Sequence, residues 1–190
     1  MKDEGVIEDY AVAGAMAILF WTEPVPTYDL DVLVLLPASP SPIVSLDPIY
    51  KWTEARGYSA SEEHILIEGV PTQFLPSPSR LAHEAIESAE TLDYDGVPVK
   101  VARPEYRSRM RSLRDMGSSS KGSASVERPL PTPELVERLR AGKASLRERR
   151  RALPLPEKVR QMLELQRIHW TIVSRRRPMR SWEHPWDVEP

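Results

Sequence analysis

The 190-residue chain contains no cysteine, which excludes both a disulfide framework and a thiolate metal centre. Its longest apolar run, Tyr10 to Trp21, falls well short of the roughly 20 residues that a bilayer-spanning helix needs. The first residues, Met1-Lys2-Asp3-Glu4-Gly5, have none of the features of a secretory signal. The expected location is therefore cytoplasmic, with no membrane partner. The four histidines, His64, His83, His169 and His184, share no ligand spacing, so no zinc site is expected. With 41% hydrophobic and 28% charged residues, the composition is that of an ordinary soluble protein. The length accommodates one domain with an appendage, or two small domains.

Basic residues are scarce in the first part of the chain. Residues 1–104 hold 6 Lys/Arg against 17 Asp/Glu, whereas residues 105–190 hold 20 against 11. The asymmetry points to two units, attracted to each other or to different partners. A Gly/Ser-rich stretch, Gly117 to Ser125, reads as a flexible joint between them. The expected division is a domain over residues 1–106, a linker over 107–131 and a basic helical arm over 132–190.

Within the acidic part, Asp29-Leu30-Asp31 stands in the apolar run Tyr28–Leu36. Side chains on a strand alternate, so both carboxylates face one side, with backbones roughly 6.5 Å apart. That spacing suits a divalent cation on a triphosphate. Two acids in an apolar strand also call for a cation to offset their burial. The competing reading is a solvent-facing strand with its acids outside.

Strand and helix signals alternate around this pair. Tyr10–Ala13 is a short strand ended by Gly14, and Ala15–Trp21 forms a helical turn or two. Pro24 and Pro26 force an extended lead into the Asp29 strand. A helix is expected from Asp47-Pro48 to Arg56, closed by Gly57. His64–Glu68 and Thr72–Leu75 read as a hairpin turning at Gly69. Ser77, with Pro78 behind it, is the expected cap of a helix carrying Leu81, Ala82, Ala85, Ile86, Ala89 and Leu92 on one face. Asp95-Gly96 turns the chain into a last strand, Val97–Val101. The expected fold class is α/β (α+β), a small mixed sheet with flanking helices.

Val12-Ala13-Gly14-Ala15-Met16-Ala17, a gap holding Pro24 to Thr27, and Asp29-Leu30-Asp31-Val32 resemble the minimal nucleotidyltransferase fold. The resemblance is to the AbiEii-like nucleotidyltransferases of toxin–antitoxin systems, and it covers just over half the chain. It implies a nucleoside triphosphate with Mg2+ as ligand and nucleotidyl transfer to a tRNA or protein hydroxyl. A cognate antitoxin or toxin would be the partner. Asp29 and Asp31 would hold the metal, and Gly14, Ala15 and Thr27 would line the phosphate site. A third carboxylate is implied near residues 70–74, where Gln73 stands. Glutamine cannot act as a base, which makes Glu68 the nearest substitute. After Tyr106 the basic run Arg107–Arg114 departs from the family's apolar helix, as a truncated member or one fused to a helical partner segment would.

The basic arm starts with Thr132-Pro133-Glu134, a cap, a first-turn proline and an acid at the positive end. A helix is expected to Arg151, and a second from Pro156 or Glu157, with Val159, Met162, Leu163, Gln166, Trp170 and Val173 on one face. That face wants a partner surface, on the acidic domain or on another chain. Its arginines suit nucleic-acid phosphates or the acidic domain equally. Two functional expectations follow. Either the protein is a nucleotidyltransferase, or it is a catalytically degenerate binding protein whose arm engages or masks a partner.

Overall fold

The computed structural model describes residues 1–38, 44–76, 79–106 and 133–188. The fold is mixed α/β, built on a seven-stranded sheet. The chain enters through β1 (Asp9–Val12) and α1 (Gly14–Leu19), then β2 (Leu30–Leu35) and α2 (Asp47–Glu54). A meander follows, β3 (Ser59–Ser61), β4 (His64–Ile67) and β5 (Val70–Pro76). Then come α3 (Arg80–Glu87), β6 (Glu90–Tyr94) and β7 (Val97–Val101). The basic part forms α4 (Pro133–Arg151) and α5 (Leu155–Val173). The spatial order is β3-β4-β5-β2-β1-β7-β6.

β2 lies at the centre. It runs antiparallel to β1, with Val12 opposite Val32, and parallel to β5, with Asp31 opposite Gln73. The alternation in Leu30–Leu35 divides two cores. Leu33 packs with Ala11, Ala13, Ala82, Ala85, Ile86 and Ala102 beneath α3. Val32 and Val34 pack on the opposite face with Ile7, Ile49 and Ile65 against α2. Asp31 shares the parity of Leu33, so it lies at the open end of the α3 face.

Local signals hold at most element ends. The β4–β5 turn uses Glu68 (φ 48°) and Gly69 (φ 81°), and the β6–β7 turn uses Asp95 (φ 52°) and Gly96 (φ 81°). Two consecutive left-handed residues are what a tight two-residue hairpin demands. The sheet contains two strands that the sequence signals do not announce, β3 and β6, and the ends of α3 also differ from expectation. The α3 cap is Ser79, whose hydroxyl accepts from the Ala82 amide at 3.2 Å, while Ser77 and Pro78 fall outside the described residues. Leu92 belongs to β6, not to the α3 face, because the Asp95-Gly96 turn pairs it with Val99. The linker over 107–131 and the Thr132 cap also lie outside the described residues.

α5 packs on the sheet domain. Val159, Met162 and Leu163 join Leu19 of α1 and Trp186 in a third buried cluster. Arg147 of α4 meets Glu23 at 3.1 Å, so one basic side chain of the arm pairs with the acidic domain. After α5 the chain folds back, pinned by Arg177, whose two guanidinium nitrogens donate to Glu183 at 2.7 and 2.8 Å. The Arg177 hydrogen bonds outweigh the effect of burial and hold the Glu183 carboxyl at a pKa of about 2, against the ordinary 4.5. Among the described residues, no helix is long and apolar enough to cross a membrane.

Candidate functional site

The end of the α3 face opens into a cleft of about 530 Å³. Gly14, Ala15, Thr27, Asp29 and Asp31 all line it, with Leu33, Leu75 and Ala102 forming its apolar floor. Five of the six residues expected at the site are therefore together. β1 ends at Val12 beside this point, and Gly14, the first residue of α1, turns away with φ +63°. A Cβ built on Gly14 would stand 2.0 Å from Asp31 Oδ2 and 2.8 Å from Asp31 Cγ. Only a residue without a side chain lets the β1–α1 corner approach Asp31 this closely, and glycine also carries the positive φ without strain. The Ala13 amide donates to the Asp31 carbonyl at 2.8 Å, fixing the corner to β2.

Asp29 precedes β2. Its Oδ1 accepts from the Thr27 hydroxyl at 2.9 Å, while its Oδ2 stands 4.0 Å from His64 Nε2. His64 is only 2% exposed, and neither ring nitrogen has a hydrogen-bond partner. Trp182 covers the imidazole, ring centroids 4.6 Å apart. The sequence does not mark His64 as a site residue, because its neighbour is set by the pairing of β4, β5 and β2, which residue spacing does not encode. The only available sign was a histidine inside an apolar strand.

Glu68 is placed differently from the other five. It sits in the β4–β5 turn and accepts a hydrogen bond from the Tyr58 hydroxyl at 2.7 Å, and it is not among the residues lining the cleft. Gln73 is in register with Asp31 on the adjacent strand, where neighbouring parallel strands lie about 4.8 Å apart. The cleft thus has two carboxylates, a hydroxyl and a neighbouring amide.

These are hard oxygen donors of the kind magnesium accepts, and magnesium commonly takes one or two carboxylates and completes its shell with phosphate and water. The pair fits such an ion. A cation held by protein alone is not what the arrangement offers, since no group of three His, Cys, Asp or Glu suited to a metal occurs among the described residues. The apolar floor offers a surface for a flat or aliphatic ligand part. Neither protein-family models nor curated proteins match the chain, so the geometry of this cleft is the ground for assigning a function.

Proposed function

We propose that the cleft binds a nucleoside triphosphate together with magnesium. Asp29 and Asp31 would hold the ion, and Gly14 and Ala15 would line the path of the phosphates. The observation that carries this is the contact of Gly14 with Asp31, which brings a bare backbone corner against one of two carboxylates facing the same cleft. A bound magnesium would neutralise phosphate charge and favour departure of pyrophosphate. The protein's own groups orient: Thr27 holds Asp29, and the Ala13–Asp31 backbone bond holds the corner. An acceptor hydroxyl on tRNA or protein, in a toxin–antitoxin setting, would form a new bond to the α-phosphorus as the bond to pyrophosphate breaks, its proton passing to solvent.

Gln73 beside Asp31 supports a second reading, in which the protein binds nucleotide without transferring it. An amide can neither take the acceptor's proton nor add charge for a second ion. Titration calorimetry with Mg2+ and ATP tests the first reading, with loss of binding expected in Asp29→Asn and Asp31→Asn. Wild-type protein that binds neither ATP nor GTP with magnesium would end it. Incubation with labelled nucleoside triphosphates and total tRNA separates the two readings. Transfer by the wild type supports the enzyme, whereas transfer gained only in Gln73→Asp supports the binding protein.

A further inference from the structure

Thr27 and Tyr28, the two residues leading into Asp29, are held from the far end of the chain. Gln166 of α5 has no solvent exposure. Its Nε2 donates to the Thr27 carbonyl, and its Oε1 accepts from the Trp186 amide at 3.0 Å. The Trp186 indole Nε1 in turn donates to the Tyr28 carbonyl at 3.1 Å. The Tyr28 hydroxyl closes the circuit by donating to the Gln166 carbonyl at 2.9 Å. With its single proton so used, that hydroxyl accepts from His169 Nδ1 at 2.9 Å, which places the ring proton on Nδ1.

Two consecutive carbonyls are thereby fixed by the C-terminal segment. The next link is the Thr27 hydroxyl, which donates to Asp29 Oδ1 at 2.9 Å. Packing alone does not call for this chemistry. Gln166 lies one turn from Met162 and Leu163 in a buried face, where an apolar side chain would dock the helix without needing partners for a buried amide. What the amide adds is orientation of the backbone before Asp29. Groups beyond the direct ligands set carboxylate direction in metal sites, and their loss commonly weakens metal binding.

We propose that Gln166 and Trp186 are positioning residues for the Asp29 carboxylate, acting through Thr27, so that the C-terminal segment sets the geometry of the cleft in cis. The proposal rests on the reading of the cleft as a metal–nucleotide site. It extends that reading to residues 137 and more positions away in the chain.

The test uses the full chain, with Mn2+ and ATP as probe and the paramagnetic resonance of bound Mn2+ as readout. Trp186→Phe keeps an aromatic six-membered ring but loses the pyrrole portion of the indole together with its N–H, whereas Gln166→Met keeps length and removes both side-chain bonds. Both are expected to retain the wild-type circular dichroism and to weaken Mn2+–ATP binding by roughly 10-fold or more. In a Thr27→Val background neither should weaken it further, because the link they act through is already cut. Lower thermal stability with unchanged Mn2+ affinity, or effects that add to Thr27→Val, would overturn the proposal. Should Gln166→Met not fold, Trp186→Phe alone decides. If the wild type binds no Mn2+–ATP, the cleft reading fails, and hydrogen exchange then judges the positioning claim. Faster exchange confined to residues 27–31 in Trp186→Phe supports it, and unchanged exchange there overturns it.

Discussion

Asp9 and Asp29 sit on or beside the same sheet and are treated in opposite ways. Asp9, on β1, is met by Lys2 at 2.9 Å and by Lys100 of β7. Burial pushes its carboxyl pKa up, but hydrogen bonds from Lys100 and Lys2 outweigh this and hold it below the ordinary value. Asp29 instead has a hydroxyl at 2.9 Å and a buried imidazole at 4.0 Å, and it faces a cleft shared with Asp31. Asp9 is neutralised by the protein's own ammonium groups. Asp29 is oriented by its neighbours and left open to something that enters the cleft. On the proposed reading of the cleft, the difference separates a carboxylate that serves the fold from one that serves a ligand.

The largest effect should come from exchanging the two acids. Asp29→Asn is expected to weaken Mg2+–ATP binding by at least roughly 100-fold, the upper range seen even for outer partners of a metal site. Its melting temperature without metal should be unchanged or higher, since one of two neighbouring like charges is removed. Asp9→Asn should do the reverse, leaving affinity intact and lowering the melting temperature. Calorimetry and thermal melts on the two variants would read both signs, and equal behaviour would break the comparison.

Gly14→Ala comes next. The methyl group meets Asp31 Oδ2 at 2.0 Å, and the residue must hold φ +63°. Strain of this kind costs about 1–3 kcal/mol, and displacement of the carboxylate should weaken metal binding as well. Denaturant titration together with calorimetry separates the two losses. An Ala variant with wild-type affinity would show that the corner does not set the position of Asp31.

A third test reaches the segment after α5, whose Trp186 bonds to Tyr28 just before Asp29. The Glu183 carboxyl has its pKa lowered from 4.5 to about 2 in the folded protein. Its contribution is therefore complete above pH 4.5 and lost as the pH falls towards 2. Fluorescence of the tail tryptophans, Trp182 and Trp186, should change across that window. Glu183→Gln should remove this step and show the altered signal already at neutral pH. The smallest effect belongs to Lys100→Met. It leaves Lys2 on Asp9 and should cost no more than about 1 kcal/mol, as partly exposed ion pairs do, without touching nucleotide affinity.

Part of the candidate site was legible because its signals are local. A period of two predicts Asp29 and Asp31 on one face, although Asp29 falls just before β2 rather than on it, two prolines lead into them, and Gly14 follows the preceding strand. Each is a statement about neighbours in sequence, and the structure places all three residues in one cleft. The hairpin at Glu68-Gly69 was legible for the same reason. Its consequence for Glu68 was not, because the Tyr58 hydroxyl that takes this carboxylate comes from before β3. The sequence offers serine hydroxyls at both 77 and 79 ahead of the apolar positions and does not choose Ser79 as the α3 cap, and Leu92 continues the α3 periodicity past the helix end, where only pairing with Val99 places it in β6. The α5 face was readable as a surface in search of a partner. That the partner is Leu19 of α1 and the residues before Asp29 was not.

By itself, then, the sequence determined the alternation of strands and helices, the acidic and basic halves, and the carboxylate pair beside a glycine corner. These follow from backbone geometry over a few residues and from charge counting. Tertiary structure decided which groups meet the pair: His64 across two strand pairings, Gln73 in register with Asp31, and Gln166 with Trp186 from the end of the chain. Those contacts depend on register and on which apolar faces bury one another, quantities shared among distant segments and encoded in no single one of them.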